Sequence, residues 1–210
     1  LVDVVTVHRE NVPAERGVKL ARALAASGHE VVFAGDWSED PGDEKILAAA
    51  HAQERIVIYG DYDVDGTTAV ALMYSFLLRF TGNIIFYIPD RYAEGYGIST
   101  QGIDKAAAEG VGLIIALDCG IKSVDKVAYA AEKGVDFIIC DHHRPGNELP
   151  AAVAVLDPKR VDCPYPYKEL SGCGIGFKLI QALAQHNGLA FTELEPLLDL
   201  VTISTACDIV

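Results

Sequence analysis

The sequence predicts an α/β fold in which helices cover both faces of a mainly parallel sheet. From residue 56 onward, short β-branched runs alternate with helical stretches, which is the pattern of parallel strands joined by helices. Half of the 210 residues are hydrophobic, so the chain can bury a core. The run before Asp118 is entirely apolar, as expected for a strand that is covered on both faces.

The predicted elements follow this alternation in order. Strands are expected at residues 56–59, 84–88, 113–117, 137–140 and 153–156. Helices are expected near residues 67–80, 101–109, 123–133 and 175–186. Thr67 and Ser123 are the predicted N-caps of two of these helices. In such a fold, ligands bind at the carboxyl ends of the strands.

The first 55 residues form a separate pattern. A helix is predicted at 13–27, a strand at 29–34, a turn at Pro41-Gly42 and a second helix at 43–53. We therefore divide the chain into an N-terminal α/β flank, residues 1–55, and a core, residues 56–210. The sequence starts without Met and ends without a helix stop or turn signal, so we expect it to be a piece of a longer protein.

Charge and cysteine content narrow the class of protein. The net charge of −13 disfavours a basic phosphate-binding surface. Carboxylates that hold divalent metals are neutralised by those metals, so the charge alone does not exclude a protein that binds nucleic acid. Five cysteines without a C-x-x-C pair disfavour a disulfide framework and a zinc ribbon. With no apolar run near ~18 residues and no signal-peptide layout, we expect a cytoplasmic protein with no membrane partner.

Acidic residues and histidines follow three of the predicted strands. Asp61, Asp63 and Asp65 alternate after the first strand, an arrangement that suits two hard cations. Asp118 follows the third strand, and Asp141-His142-His143 follows the fourth, a mixed set typical of Mn²⁺ or Mg²⁺. Each motif alone also fits a solvated acidic loop, a helix N-cap or a surface histidine pair. Together with Asp208 they predict a binuclear metal site.

Substrate contacts are predicted from the same loops. Arg91 and Arg144 could bind phosphate, or they could pair with nearby carboxylates. Tyr96 could stack on a base, or it could anchor its Gly-rich loop. A Gly-rich helix start could present backbone N–H groups to an anion, through Ser171, Gly172 and Gly174.

The motifs resemble, in order, the four motifs of the DHH phosphoesterase superfamily. The resembling segments are Ile58-Tyr59-Gly60-Asp61-Tyr62-Asp63-Val64-Asp65-Gly66, Leu117-Asp118-Cys119-Gly120, Asp141-His142-His143 and Asp208. Three further runs, at residues 60–66, 88–97 and 171–179, are similar to RecJ-like exonucleases in particular. Tyr59 stands where the pyrophosphatases of the superfamily have a histidine.

The resemblance implies a two-metal phosphodiesterase that uses Mn²⁺ or Mg²⁺. It implies a 5′-to-3′ exonuclease on single-stranded DNA that releases nucleoside 5′-monophosphates in DNA repair and recombination. In this scheme Asp63 and Asp65 ligate one metal each, Asp118 bridges them, and His142 and Asp208 complete the ligand set. Asp61 and Asp141 orient the ligands and a histidine. His143, with Asp118 and Asp61, forms the catalytic group, and His143 contacts the scissile phosphate or the leaving oxygen.

The resemblance also implies features outside the metal site. A C-terminal DHHA1-type domain and an oligonucleotide-binding fold are implied for such proteins, and we expect both to be absent from residues 1–210. Single-strand-binding protein and a helicase are the implied partners. Residues 1–55 resemble the start of a PIN-like toxin or nuclease domain, which suggests a chimera. Alternative functions are a phosphodiesterase for short oligonucleotides or cyclic dinucleotides and a non-catalytic scaffold that binds replication or repair proteins.

Overall fold

The structure is a computed structural model that describes residues 41–208. Within it, helices α1 to α6 span Pro41–His51, Val64–Leu77, Thr100–Ala108, Val124–Glu132, Gly172–His186 and Leu198–Cys207. Strands β1 to β5 span Arg55–Gly60, Ile84–Tyr87, Val111–Leu117, Asp136–Cys140 and Ala154–Leu156. Two short 3₁₀ turns, Phe191–Glu193 and Glu195–Leu197, precede α6. The helix predicted at 13–27 and the strand predicted at 29–34 lie outside the described residues.

The five strands form one sheet in the order β2-β1-β3-β4-β5, and every pairing is parallel. Side chains alternate between its two faces, as the pleat of a strand requires. In β1, Ile56 and Ile58 lie in one core, while Val57 and Tyr59 lie in the other. The predicted parallel α/β fold is confirmed, and each strand lies within two residues of its predicted bounds.

The two faces of the sheet are covered by different helices. Residues of α1, α2, α5 and α6 pack on one face, and residues of α3 and α4 pack on the other. Burial of apolar side chains at about 25 cal/mol per Å² is the main stabilising contribution on both faces. None of the helices in the described part of the chain is long and apolar enough to cross a bilayer.

Helix α1 shares the core of the sheet. Ile46 and Ala49 of α1 are at most 1% exposed and lie in the same hydrophobic cluster as Ile56 of β1. The part of the predicted flank that the structure describes is therefore packed against the core. The domain boundary at residue 55 itself stays a prediction.

Several helices begin earlier than predicted because a side chain caps them further upstream. Helix α2 begins at Val64, where Asp63 is the N-cap and accepts a hydrogen bond from the Gly66 N–H at 2.9 Å. The predicted N-cap Thr67 is wrong, since its hydroxyl donates to the Asp63 carbonyl inside the first turn. The predicted turn at Pro41-Gly42 is likewise the first turn of α1.

The starts of α5 and α4 can also be compared with their predicted positions. Helix α5 begins at Gly172, three residues before the predicted start, because the Ser171 hydroxyl accepts the Gly174 N–H at 3.1 Å. Ser123 does stand at the N-cap position of α4, but its side chain makes no capping hydrogen bond.

Candidate metal centre

Four aspartates stand side by side along the carboxyl edge of the sheet. The last residues of β1, β3, β4 and β5 are in register, with Gly60 paired to Leu117, Leu117 to Cys140 and Cys140 to Leu156. An aspartate follows each of these four residues directly. They are Asp61, Asp118, Asp141 and Asp157, and each is at most 1% exposed. Strand pairing alone therefore brings four carboxylates to one rim.

The side chains at this rim form three overlapping groups that could each hold a metal ion. Within each group, one ligand atom per residue lies within 4.8 Å of the others. The groups are Asp61, Asp63 and Asp118; Asp118, His142 and His143; and Asp65, His142 and Asp208. Asp118 and His142 belong to two groups each, as shared ligands of neighbouring ions would. All five predicted metal ligands are thus brought together.

Unsatisfied buried polar atoms show that this donor set fits a divalent cation. Oδ1 of Asp118 and Nδ1 of His142 are buried, and neither has a hydrogen-bond partner in the described part of the chain. Nε2 of His142 lies 3.1 Å from Oδ1 of Asp118, but without the geometry of a hydrogen bond. Buried groups of this kind are costly unless something neutralises them. Carboxylate oxygens with imidazole nitrogens suit Mn²⁺ or Mg²⁺.

Asp118 is the most perturbed carboxyl group of the cluster. Burial, together with the negative charges of Asp65 and Asp63, raises its pKa to about 10. Its backbone has a φ of +60°, which is rare for a residue other than glycine and is typical of functional sites. The Asp118 N–H, which donates to the Cys140 carbonyl at 2.8 Å, supports this conformation.

Asp65 binds the N-terminal end of α5. Its carboxylate accepts the N–H groups of Gly172 at 2.6 Å and Cys173 at 2.8 Å, and the Ser204 hydroxyl at 2.6 Å. The positive end of the helix dipole stabilises a carboxylate in this position. A carboxylate has about four lone-pair sites, so one remains for a metal.

The N–H groups predicted to bind a substrate anion at the start of α5 already make hydrogen bonds within the chain. The N–H groups of Gly172 and Cys173 are directed at Asp65, and the N–H group of Gly174 is directed at Ser171. Ser171, Gly172 and Gly174 are all buried. This segment supports the candidate ligand Asp65, and its contact with a substrate anion stays a prediction.

Asp141 organises the loop after β4. One of its oxygens accepts the His142 N–H at 2.8 Å, the His143 N–H at 3.1 Å and a bond from His143 Nδ1 at 2.7 Å. The other accepts the Ile121 N–H at 2.8 Å. Burial opposes the charged form, but the His143 hydrogen bond outweighs it and lowers the pKa of Asp141. The same bond raises the pKa of His143. This geometry corresponds to the orienting role predicted for Asp141.

The predicted substrate-binding arginines are on the solvent side of the rim. The Arg91 guanidinium covers the Tyr62 ring, 5.1 Å from its centroid, and Arg144 is exposed. Within residues 41–208, no ion pair joins either arginine to a carboxylate. The alternative prediction, that they pair with nearby acids, is therefore not supported there. Their contact with a phosphate stays a prediction.

Two residues of the site were missed by sequence reasoning. Asp157 follows β5 in the way that Asp118 follows β3, so the same strand-end signal could have identified it. Ser204 lies inside an apolar helix, and no feature of the sequence marks it. It is fully buried, and its hydroxyl also lies 2.6 Å from Ser171 Oγ.

A parallel α/β sheet with carboxylates and imidazoles gathered at its carboxyl edge defines a metal-binding α/β protein. The profile of the DHH family, N-terminal domain, matches residues 55–205. The chain belongs to the DHH family, and within that family it is RecJ-like.

Curated relatives and solved structures agree with this assignment. The chain is 45% identical over 168 residues to the single-stranded-DNA-specific exonuclease RecJ of Bacillus subtilis, covering 80% of this chain and 20% of the relative. It is 37% identical over 212 residues to the Escherichia coli RecJ, covering 94% of this chain and 36% of the relative. A crystal structure of exonuclease RecJ bound to manganese superposes with a TM-score of 0.75 at 27% identity, covering 86% of this chain and 45% of that one.

These matches cover a small part of each curated relative and most of this chain. The chain spans about a fifth to about a third of the length of these curated relatives. The E. coli match covers 94% of the chain, and residues 56–210 make up less than three quarters of it, so the likeness extends into the first 55 residues. A chimeric origin of those residues stays a prediction.

Proposed function

We propose that the chain is the metal-dependent catalytic core of a RecJ-type exonuclease, which hydrolyses single-stranded DNA from its 5′ end and releases nucleoside 5′-monophosphates. The observation that carries the proposal is the position of Asp118, shared between two groups of ligands at the carboxyl edge of the sheet. Its curated relatives are named as exonucleases specific for single-stranded DNA, and a solved structure that resembles this chain is an exonuclease RecJ bound to manganese.

The chain's own residues hold and order the reaction site. Two divalent cations, when bound, lower the pKa of a shared water and neutralise charge on the phosphoryl oxygens. Asp63 and Asp65 belong to different ligand groups, so they would hold different cations. His142 and Asp208 belong to the same group as Asp65 and would complete its ligand set. His143 is only partly buried, so it faces the scissile phosphate or the leaving oxygen.

Substrate, partners and location follow from the same proposal. Arg91 and Arg144 are exposed cations beside an acidic rim, where they receive the phosphates of a single strand. Single-strand-binding protein and a helicase would supply and expose that strand. No disulfide joins the cysteines in the described residues, as expected for an enzyme that acts on DNA in the reducing cytoplasm.

The test follows 5′-labelled single-stranded DNA with Mn²⁺ or Mg²⁺. We expect labelled mononucleotides as the first product, no digestion of blunt duplex DNA, and loss of activity in Asp118→Asn. Shortening from the 3′ end would contradict the proposal. Hydrolysis restricted to di- and trinucleotides or cyclic dinucleotides would favour the alternative phosphodiesterase. Mn²⁺ binding without any hydrolysis would favour the scaffold.

A further inference from the structure

The loop after β2 is fixed before it reaches the metal centre. The buried Tyr59 hydroxyl donates to the Gly97 carbonyl at 3.1 Å and accepts the Ser99 N–H at 3.0 Å. Glu94 accepts the Tyr87 hydroxyl at 2.8 Å and the Asp90 N–H at 2.9 Å. Both ends of the segment around Tyr96 are therefore anchored to the sheet.

Two glycines set the direction of the Tyr96 side chain. Gly95 and Gly97 have φ values of +89° and +76°, which residues other than glycine rarely adopt. The reversal of the backbone on both sides of Tyr96 places its ring edge-on to Tyr62 and to His143, with centroids 6.3 Å away in each case. The loop thus delivers one tyrosine to the rim.

The Tyr96 hydroxyl reaches the outer nitrogen of His143. The oxygen lies 3.1 Å from His143 Nε2, and His143 Nδ1 lies 2.7 Å from the Asp141 carboxylate. A ring that is held at one nitrogen can still pivot about that bond, whereas a second bond at the opposite nitrogen fixes its plane. In the neutral imidazole Nε2 accepts the hydroxyl proton, and in the imidazolium it donates to the hydroxyl oxygen.

We propose that Tyr96 is a positioning residue whose hydroxyl, through its bond to Nε2, fixes the orientation of His143 at the rim. This role differs from base stacking, which would use the ring and not the hydroxyl. It rests on the proposed function, because the orientation of His143 affects turnover only if the chain hydrolyses phosphodiesters. The hydrogen bonds between Asp141 and His143 and between His143 and Tyr96 then link the loops after β4 and β2 across the metal centre.

The first test compares Tyr96→Phe with the unchanged chain. The phenyl ring keeps the packing with Tyr62, so we expect KM for single-stranded DNA to stay the same while kcat falls by about 10- to 100-fold, as for other residues that orient active groups. Tyr92→Phe is the matched control, since Tyr92 is in the same loop and 96% exposed. It should leave both constants unchanged. A rise in KM alone in Tyr96→Phe would overturn the proposal in favour of DNA binding.

A double-mutant cycle tests whether Tyr96 acts through His143. If it does, Tyr96→Phe should have no further effect on kcat in a His143→Ala background. Full additivity of the two losses would overturn the proposal.

A spectroscopic test needs neither metal nor DNA. In ¹⁵N-histidine-labelled protein, the Nε2 resonance of His143 should shift in Tyr96→Phe and stay in place in Tyr92→Phe. An unchanged resonance in Tyr96→Phe would overturn the proposal, as would a shift without a loss of kcat. Absence of hydrolysis by the unchanged chain contradicts the proposed function instead, and the resonance still tests the contact.

Discussion

Gly172 lies directly against Asp118. A Cβ atom added at Gly172 would lie 2.6 Å from Asp118 Cβ and 2.8 Å from its Oδ1, closer than such contacts allow. The start of α5 is therefore packed against the carboxylate that two ligand groups share. Glycine is required at this position by the close approach of Asp118 and not by the helix.

Gly172→Ala should displace Asp118 or the start of α5. We expect Mn²⁺ affinity to fall by about 10- to 100-fold, the range seen when residues behind metal ligands are changed. Calorimetric titration with Mn²⁺ measures this. Gly174→Ala is the matched control, because its nearest neighbour would be Ser171 Oγ at 3.4 Å, an ordinary contact. Equal Mn²⁺ affinity in both variants would show that the close packing on Asp118 is unimportant.

Binding of Mn²⁺ should release a proton near neutral pH. The pKa of Asp118 is raised to about 10 by burial and by Asp65 and Asp63, so the metal-free cluster holds a proton that a cation displaces. The buffer takes up the released proton. Calorimetry in two buffers should therefore give binding heats that differ by the difference between the two ionisation enthalpies. Heats that are independent of the buffer would contradict the raised pKa.

Asp118→Asn tests the shared ligand itself. We expect the stoichiometry of Mn²⁺ to fall and the proton release to disappear, because an amide is a neutral and weaker ligand. Asp125→Asn, with an exposed side chain on α4, serves as the control and should bind as the unchanged chain does. An unchanged stoichiometry in Asp118→Asn would rule out the bridging role.

The sequence was informative about elements and less so about their ends. Apolar runs and β-branched residues were enough to place five strands and four helices of the core, since buried parallel strands are nearly continuous in hydrophobicity. Helix starts were misplaced where an aspartate or serine caps the helix upstream, as Asp63 and Ser171 do. Asp63 was interpreted only as a metal ligand, and its second role as an N-cap was overlooked.

The features of the site that the sequence did not predict depend on strand register and on long-range contacts. No local pattern states that Gly60, Leu117, Cys140 and Leu156 are in register, so the alignment of four aspartates emerges only from the assembled sheet. The contact of Asp65 with the start of α5 joins positions 107 residues apart. Asp157 could have been predicted from its place after a strand, but no recognised motif drew attention to it.

Ser204→Ala should weaken the support of Asp65. The buried Ser204 hydroxyl donates to Asp65 at 2.6 Å, and removal of a buried partner typically costs about 1–3 kcal/mol. We expect the free energy of unfolding, measured by urea titration without metal, to fall by that amount. Ser123→Ala is the control, because the Ser123 side chain makes no capping bond and should change stability little. Equal losses in the two variants would contradict the support of Asp65 by Ser204.

Asp157→Asn should stabilise the metal-free chain at alkaline pH. Burial, offset in part by the Lys159 N–H bond, raises the pKa of Asp157 from 3.8 to about 6. The folded chain then holds a proton that the unfolded chain has lost, so this group destabilises the fold as pH rises through that window. Each pKa unit corresponds to 1.36 kcal/mol, which gives a penalty of about 3 kcal/mol well above pH 6. The amide oxygen can still accept the Lys159 N–H.

Urea unfolding in the presence of a chelator, followed by circular dichroism, measures this difference. The gain of Asp157→Asn over the unchanged chain should be largest at about pH 8 and should shrink toward about pH 5, where the native carboxyl group is protonated in the fold. Asp199→Asn, at an exposed position on α6, should show no such pH dependence between those values. A gain of the same size at both pH values would mean that Asp157 titrates normally. Asp157 would then carry a negative charge in the row of carboxylates and would not be a protonated acid.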